Sequence, residues 1–315
     1  MMKLRHIISA NQFDKKTIQK IFTIADKVQS KNSYSNYLKG KIMSTLFYEP
    51  STRTRLSFES SMLRLGGNVI TTESAAEFSS AAKGETLEDT IRVINSFADV
   101  IVLRHFNEGA SEIAANYSKV PIINAGDGKG EHPSQALLDL YTIFSIFKNK
   151  QKISKEIDLD LTISMVGDLK NGRTIHSLTV LLSLFKNVKF IFISPKALDI
   201  PTYIKKVLDE KKVSYQEISN LKQALSISDV IYQTRVQKER FKSLKEYKKF
   251  KNLLIIDKNS LTLMKKDAII MHPLPRINEI TPEVDNDPRA IYFKQVQNGL
   301  FIRMALLIYL FDKEN

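Results

Sequence analysis

Hydroxyl and guanidinium side chains are concentrated in the segment that follows Pro50. Five such residues come in a row: Ser51, Thr52, Arg53, Thr54 and Arg55. Hydroxyl groups donate to phosphate oxygens, and guanidinium groups add charge-assisted donors in a fork that matches a phosphate. The composition of this segment therefore predicts that it binds phosphate.

The elements that position these donors follow from the flanking sequence. The apolar run 42–48 predicts a buried strand, which Pro50 stops. Residues then recur at helical spacing up to Gly66: Leu56, Ser60 and Leu63. A helix N-terminus offers free backbone N–H groups and a favourable dipole to an anion. The structural alternative is that Ser51 or Thr52 caps the helix and the arginines are solvated, which explains one hydroxyl of three.

A loop of small residues, 73–85, follows a predicted short strand from Asn68 to Thr72. Three of its groups can hold an anion: Ser79, Ser80 and Lys83. The loop is roughly 13 residues long. Loops that approach this length without secondary structure are usually functional or disordered. The alternative is a mobile surface loop with an ordinary lysine.

Other polar groups follow further predicted strands in the first half. Arg104 ends a buried strand that begins at Asp99, where open α/β sheets place ligand groups. His132 and Gln135 lie three positions apart, on one face of the first turn of a helix that Pro133 opens. The structural alternative for His132 is a capping role.

The second half repeats the alternation of strands and helices. Polar turns follow three predicted strands, over residues 168–174, 234–240 and 272–276. Pro273 and Pro275 impose a rigid, extended turn that can present carbonyl oxygens to a ligand, and an X-Pro bond there is a candidate for the cis form. We also expect Asn259 or Ser260 to cap a helix and Pro288 to start the last helix, which runs to Phe311.

Composition excludes several classes of protein. The chain of 315 residues contains no cysteine, which rules out disulfides, thiolate metal sites and cysteine nucleophiles. Neither a signal-peptide core nor a run of 18 apolar residues is present, so we expect a soluble cytoplasmic protein without a membrane span. No metal-ligand cluster accompanies the polar motifs, and no cofactor is predicted.

The formal net charge of +13, from 47 basic and 34 acidic residues, raises the question of nucleic-acid binding. The lysines, however, are dispersed and lack interleaved aromatic residues. Solvated helix faces explain most of this charge, and we predict no nucleic-acid partner. A positive field would also speed the encounter with small anionic substrates.

Strand–helix alternation in both halves predicts an α/β fold. We expect two doubly wound domains with mainly parallel sheets and an active site in the interdomain crevice. The lysine-rich segment 148–155 marks the expected boundary.

Taken together, the motifs resemble the catalytic chains of the aspartate carbamoyltransferase (aspartate transcarbamoylase) family over essentially the whole sequence. Segment 51–55 resembles the carbamoyl-phosphate loop that all transcarbamoylases share. Ser79, Ser80 and Lys83 resemble the mobile loop that neighbouring subunits contribute to each other's sites. The family's remaining carbamoyl-phosphate contacts are resembled in this chain by Arg104, His132 and Gln135.

Three segments favour aspartate over ornithine as the acceptor. Segments 166–174 and 234–240 resemble dicarboxylate-binding segments, and 272–276 lies where ornithine enzymes carry a cysteine. The resemblance implies five catalytic residues: Arg53, Thr54, Lys83, Arg104 and His132. The implied carbamoyl-phosphate contacts are Ser51, Thr52, Arg53, Thr54, Ser79, Arg104, His132, Gln135, Pro273, Leu274 and Pro275. The implied aspartate contacts are Lys83, Arg173, Arg235 and Gln237.

The family resemblance also implies domains and partners. It predicts a carbamoyl-phosphate domain of residues 1–134 plus 287–315, an aspartate domain of residues 150–286 and a connecting helix of residues 135–149. It implies carbamoyl transfer to L-aspartate in de novo pyrimidine biosynthesis by a homotrimer with shared active sites. A regulatory chain is a further candidate partner.

Three points stay open at this stage. The competing interpretations are a transcarbamoylase that uses ornithine or a related amine, and a catalytically silent scaffold or nucleic-acid binder built on this fold. Glu49 stands beside a cationic loop, where it could pair with Arg173 or Arg240 and hold a closed state, or serve only as a surface charge.

Overall fold

A computed structural model describes residues 5–30, 34–73, 75, 83–148, 158–241 and 243–312. The chain divides into two compact units, one of Met1–Tyr141 with Gln297–Asn315 and one of Thr142–Val296. The ligand-binding domains expected from the sequence, with borders at residues 134, 150 and 286, stay a prediction. Among the helices that the described residues form, none has the length and apolar character needed to cross a membrane.

The first unit is built around a parallel sheet with the strand order β2-β1-β3-β4. Its strands are β1 (Ile42–Phe47), β2 (Asn68–Glu73), β3 (Val100–His105) and β4 (Ile122–Asp127). The helices in this part of the chain are α1 (Lys15–Ser30), α2 (Thr52–Arg64), α3 (Leu87–Ile94), α4 (Ala110–Tyr117) and α5 (Pro133–Phe147).

The second unit contains a parallel sheet with the order β7-β6-β5-β8-β9. Its strands are β5 (Leu161–Val166), β6 (Val188–Ile193), β7 (Ser214–Ile218), β8 (Val230–Gln233) and β9 (Ile269–Met271). The helices are α6 (Arg173–Leu182), α7 (Thr202–Glu210), α8 (Leu221–Ile227), α9 (Leu244–Phe250), α10 (Lys258–Leu263) and α11 (Tyr292–Phe311). The border between the units falls within α5 and within α11.

Both sheets carry the near-continuous apolar strands that a parallel sheet needs when helices cover its two faces. In β3 every residue except Arg104 is buried, and β4 is buried throughout. Each fully buried Ile, Leu or Val side chain contributes about 1.5–3 kcal/mol relative to an exposed one. The two-domain α/β fold expected from the sequence is therefore confirmed.

Each sheet reverses its direction of growth once. From β1 the chain adds β2 on one side and later places β3 on the other, and from β5 it adds β6 and β7 before β8 joins the opposite edge. Helices cannot cover the strand ends at such a reversal, which leaves room there for a ligand beyond the carboxyl ends. The polar segments predicted from the sequence follow β1, β3 and β4 in one unit and β5, β8 and β9 in the other.

Among the elements that the sequence patterns missed are helix α4 and strand β7. Helix α4 is only eight residues long and begins after Gly109, whose φ of 80° is left-handed. Strand β7 lies at the sheet edge, and no residue in it is buried, so it lacks the apolar run that marks the inner strands. Neither element has the periodicity on which a prediction could rest.

Three expectations about helices were wrong in detail. Asp257, and not Asn259 or Ser260, caps α10, because its carboxylate accepts from the Ser260 N–H at 2.8 Å in a capping box. Helix α11 begins at Tyr292 and not at Pro288, because Ala290 first forms a parallel bridge with Ile270. In α2 the side chains of Leu56 and Leu63 are 51% and 58% exposed, and the buried face consists of Thr54, Phe58, Ser61 and Met62.

The cap of α10 can be tested directly. Asp257→Ala should lower the free energy of unfolding by about 1 kcal/mol, because the Ser260 N–H loses its acceptor. The backbone hydrogen bond from Ser260 lowers the pKa of Asp257, so this contribution is present above about pH 4 and is lost as the pH falls further. Urea titration at pH 7 and pH 3 measures both effects. Asn259→Ala is the matched control and should leave stability unchanged; a loss there as large as in Asp257→Ala would contradict the assignment.

Candidate active site

The N-terminus of α2 presents polar groups directly after β1. Ser51 holds the N-cap position, but its side chain makes no capping hydrogen bond. Its hydroxyl is therefore not used to stabilise the helix, against the structural alternative. Thr52 and Arg53 are exposed at the first turn, whereas Thr54 is buried. The first backbone N–H groups of a helix have no acceptor within it, so this end of α2 is suited to an anion.

Arg55 differs from the other members of its motif. Its Nη1 lies 3.4 Å from Glu59 Oε1 and 3.2 Å from Thr71 Oγ1. The Thr45 hydroxyl donates to the same Glu59 oxygen at 2.9 Å. Arg55 thus joins α2 to β1 and β2 and stabilises the start of the helix, instead of extending the cationic surface formed by Arg53.

Arg104 lies at the end of β3, next to the end of β1. The pairing of β1 with β3 sets Phe47 opposite Arg104, and the Arg104 guanidinium donates to the Ala125 carbonyl at 3.2 Å. Its Nη2 lies 3.4 Å from the Glu49 carboxylate. Backbone register and these two acceptors hold the guanidinium beside the donor-rich turn that precedes α2. The pairing of Glu49 with Arg173 or Arg240 stays a prediction.

The start of α5 brings His132 and Gln135 to the end of β4. The His132 carbonyl accepts from the Gln135 N–H at 3.0 Å, so His132 caps the helix through its backbone. Both side chains are buried, and Gln135 Nε2 donates to Asp139 Oδ1 at 2.9 Å. The turn before the helix is fixed by Asp127, which accepts from the Glu131 N–H at 2.8 Å.

In the second unit, the turns after β5 and β8 are in direct contact. Gly167 has φ of 115°, and a Cβ atom there would lie 2.3 Å from the Thr234 carbonyl oxygen. The Thr234 N–H and hydroxyl both donate to the Val166 carbonyl, at 2.8 and 3.0 Å. Only glycine permits this approach, which aligns the segment before Arg173 with the one that contains Arg235.

A buried carboxylate holds these two turns together. Asp168 accepts from the backbone N–H of Asn171 at 3.0 Å and from that of Gln237 at 3.4 Å. Gln237 Nε2 in turn donates to the Asn171 carbonyl at 2.9 Å. Burial raises the pKa of Asp168, and the hydrogen bonds from Asn171 and Gln237 oppose that rise. The half-buried Arg173 and Arg235 are thus carried by turns with fixed backbones.

His176 anchors the start of α6 from inside the unit. Its Nε2 lies 2.7 Å from the Leu169 carbonyl, and its Nδ1 lies 2.8 Å from the Tyr203 hydroxyl. Burial lowers the pKa of His176, so the neutral ring donates through Nε2 and accepts through Nδ1. Sequence reasoning missed this residue, because a histidine on a buried helix face carries no signal of its own.

The proline turn after β9 has a fixed backbone. The Leu274–Pro275 bond is cis, as the sequence suggested, and Leu274 has φ of 50°. His272 Nδ1 accepts from the Leu274 N–H at 2.8 Å, and its Nε2 donates to Glu279 at 2.8 Å. Burial lowers the pKa of His272, which favours this neutral form. No described residue donates to the carbonyl oxygens of Pro273 or Leu274, so both can accept from a ligand.

The loop 73–85 is described only in part. Ser79 and Ser80 lie outside the described residues, while Lys83 is described and exposed. Elsewhere in the described ranges, no three His, Asp or Glu residues are grouped as a metal site would require. Among the cationic groups in the polar turns are Arg53 and Arg104 in one unit and Arg173 and Arg235 in the other.

Two family models match the chain over most of its length. The model described as the aspartate/ornithine carbamoyltransferase carbamoyl-P binding domain matches residues 5–145, and the Asp/Orn binding domain of the same family matches residues 159–310. The chain belongs to the aspartate/ornithine carbamoyltransferase family. The first match contains all the donors of the β1, β3 and β4 ends, and the second contains Arg173 and Arg235.

Individual proteins that are similar to this chain narrow the resemblance from aspartate or ornithine carbamoyltransferases to aspartate carbamoyltransferases. The chloroplastic aspartate carbamoyltransferase of Arabidopsis thaliana is 53% identical over 97% of this chain and 77% of its own length. The catalytic subunit of M. jannaschii aspartate transcarbamoylase is 48% identical and has a TM-score of 0.87 over 99% of this chain and all of its own. A Trypanosoma cruzi aspartate transcarbamoylase, solved with carbamoyl aspartate and phosphate, has a TM-score of 0.86 at 40% identity over 97% of this chain and 95% of its own. The resemblance to aspartate carbamoyltransferases seen in the sequence is confirmed.

The uncommitted Ser51 hydroxyl gives a prediction for this carbamoyltransferase. Ser51→Ala should leave the free energy of unfolding within about 0.5 kcal/mol, because no capping bond is lost. The Kd for inorganic phosphate should rise by about 10- to 100-fold, the effect of one hydrogen bond to a charged group. Calorimetric titration and urea unfolding measure the two quantities. Ser60→Ala, on the same helix, is the control and should change neither; a destabilised Ser51→Ala with normal phosphate binding would restore the capping interpretation.

Proposed function

We propose that the protein transfers the carbamoyl group of carbamoyl phosphate to the α-amine of L-aspartate. The products are N-carbamoyl-L-aspartate and phosphate, in the de novo synthesis of pyrimidines. The observation that carries this proposal is the near-full-length similarity to aspartate transcarbamoylases, one of which was solved with both products.

The first unit supplies the groups that a carbamoyl phosphate needs. Ser51, Thr52, Arg53 and the N-terminus of α2 bind the phosphate group and stabilise the charge that it carries away as it leaves. Arg104, held by the Ala125 carbonyl and Glu49, adds a second guanidinium. Ser79 of the 73–85 loop adds a further hydroxyl in this proposal.

The carbonyl group of the substrate requires donors on one side and acceptors on the other. Negative charge develops on its oxygen when the amine attacks, and Thr54, Arg104 and His132 are the donors for that oxygen. Removal of one such donor typically lowers the rate by about 10²–10³. The carbamoyl nitrogen instead needs acceptors, which Gln135 and the carbonyls of the 273–275 turn provide.

The second unit supplies the groups for a dicarboxylate. Arg173 and Arg235 each offer a planar fork to a carboxylate, and Gln237 adds an amide donor or acceptor. The Asp168 network and the contact of Gly167 with Thr234 keep the two guanidinium-bearing turns in register. Lys83 completes this set.

Catalysis in this proposal depends on orientation and fixed charge. The proposed contacts include no paired carboxylates and no nucleophile with an adjacent base. Correct juxtaposition of two bound reactants can supply about 7–11 kcal/mol of the barrier. The departing phosphate accepts the amine proton, because it is the strongest base that the reaction itself generates. In this scheme His132→Ala lowers the pH–rate profile without changing its shape, and a reshaped profile would contradict it.

The choice of acceptor is tested by assay and by one substitution. Purified protein should form carbamoyl aspartate from carbamoyl phosphate and L-aspartate and give no product with L-ornithine. Arg235→Lys should lower kcat/KM for aspartate by about 10- to 100-fold through loss of the bidentate contact, with the KM for carbamoyl phosphate little changed. The matched control is Arg92→Lys at a side chain that is 60% exposed, with unchanged kinetics expected. Turnover of ornithine would overturn the assignment of the acceptor.

We further propose a homotrimer in which Lys83 of one subunit completes the site of the next. Lys83 is exposed, and no described residue of its own chain pairs with its side chain. A cyclic trimer has one repeated head-to-tail interface, so each subunit both lends and receives this group. The same proposal includes a regulatory chain as a candidate partner and a cytoplasmic location. It includes no nucleic-acid or membrane partner.

Shared sites can be tested by mixing two inactive variants. Arg104→Ala and Lys83→Ala should each abolish most activity, since each removes one group from every site. After dissociation and reassembly of an equal mixture, about one quarter of the sites should contain both groups and activity should return to that level. Each variant dissociated and reassembled alone is the control. A mixture that stays inactive although mixed trimers form would exclude sharing through Lys83.

A further inference from the structure

A buried carboxylate lies behind Gln135 on helix α5. Asp139 is fully buried one helical turn after Gln135, and its Oδ1 accepts from Gln135 Nε2 at 2.9 Å. An ionised carboxylate can only accept, so the Gln135 amide must direct its NH₂ group towards Asp139. The carbonyl oxygen Oε1 of the Gln135 amide therefore faces away from Asp139.

Oε1 of Gln135 is available for an external donor. Within the described part of the chain it accepts no hydrogen bond, and it is not one of the enclosed side-chain atoms that lack a partner, so a ligand or solvent can reach it. An amide oxygen is an acceptor with two lone pairs, so an accessible one next to a polar turn can accept from a ligand in place of water. Its complement is a ligand with an N–H group.

Arg303 places a positive charge in the same region of the first unit. This residue of α11 is 5% exposed, and its guanidinium lies 5.1 Å from the ring centroid of Phe58 on α2. Gly299 makes room for it, since a Cβ atom there would lie 2.7 Å from Arg303 Nη1. Burial lowers the pKa of Arg303 to about 10, and the negative charge of Asp139 acts in the opposite direction. A buried carboxylate is tolerated when a nearby cation compensates its charge.

We propose that Asp139, with Arg303 as its countercharge, is a positioning residue that fixes the orientation of the Gln135 amide. This role rests on the proposed function, in which Gln135 faces the carbamoyl nitrogen. It makes the first unit selective for an acyl phosphate that bears an NH₂ group over one of the same shape that bears a methyl group. Asp139 itself contacts no substrate in this scheme.

The inference separates selectivity from phosphate affinity. In Asp139→Asn the new amide can donate as well as accept, so the Gln135 amide can reverse and present NH₂ to the ligand. The reversed amide no longer favours a ligand N–H group. Contacts to the phosphate group, which come from α2 and Arg104, are not altered by this change.

Two stable ligands make the test independent of turnover. Phosphonoacetamide carries the NH₂ group, and acetonylphosphonate carries a methyl group in its place. Calorimetric titration of the full-length protein should give a Kd lower for phosphonoacetamide by about 3- to 10-fold, the effect of one hydrogen bond. In Asp139→Asn this ratio should fall to about one, while the Kd for inorganic phosphate changes less than about twofold.

Controls separate positioning from general damage. Gln135→Met should also reduce the ratio to about one, and Asp139→Asn in that background should change it no further. Tyr141→Phe is the matched control on α5, because it removes the buried hydrogen bond to Asp26 (2.8 Å) without contact to Gln135. It should lower stability but keep the ratio. If Asp139→Asn does not fold, Asp139→Ser must give the same fall, because its hydroxyl can also donate.

The outcomes are distinct. An unchanged ratio in folded Asp139→Asn, or equal weakening of all three ligands, overturns the positioning role. Wild-type protein that binds none of the three ligands would instead contradict the proposed function. A ratio that falls with phosphate affinity retained supports the assignment of Asp139 and Arg303.

Discussion

Parallel strands that end side by side are the constraint on which the rest of this structure depends. In a parallel sheet all carboxyl ends lie on one edge, and where the strand order reverses the following helices leave to opposite faces. Strands β1 and β3 form such a point in one unit, and β5 and β8 form it in the other. The turns that leave these strands carry the arginines and hydroxyls, so the topology concentrates cationic donors without any local preference for clustering.

The clustered guanidinium groups and polar turns are held in place by hydrogen bonds to carboxylates and carbonyls. Arg104 is held by Glu49 and a backbone carbonyl, the 168–171 turn is held by Asp168, and the proline turn is held through His272 by Glu279. The buried carboxylates of Asp168 and Glu279 each accept several hydrogen bonds, which offsets the cost of taking a charge out of water. The groups predicted to contact a ligand are thus held in place by hydrogen bonds to the rest of their own unit.

Much of the fold could be read from the sequence, because buried parallel strands have strong apolar runs and the polar motifs mark their ends. The failures have physical causes. Leu56 and Leu63 keep helical spacing but are exposed, since α2 packs through the face of Phe58 instead. Strand β7 is exposed at the sheet edge and shows no apolar run.

The sequence likewise predicted some features of the candidate site and missed others. The residue types of the 51–55 segment predict an anion site, but they cannot show that Arg55 bonds to Glu59 and Thr71 while Arg53 is exposed. Asp139 and His176 were not singled out, because a lone polar residue in an apolar helix has many explanations. The sequence does not show which distant residue each polar side chain contacts in the fold. Those contacts determine whether a polar group is available to a ligand or is used inside the core.

The prolines at 273 and 275 have a consequence for the polarity of their turn. Proline has no N–H group, and the N–H of Leu274 is already used by His272. Backbone oxygens therefore outnumber available backbone hydrogens at this place, so the backbone of the turn acts mainly as a hydrogen-bond acceptor. A group that carries N–H or O–H hydrogens therefore matches this backbone better than a group that can only accept hydrogen bonds.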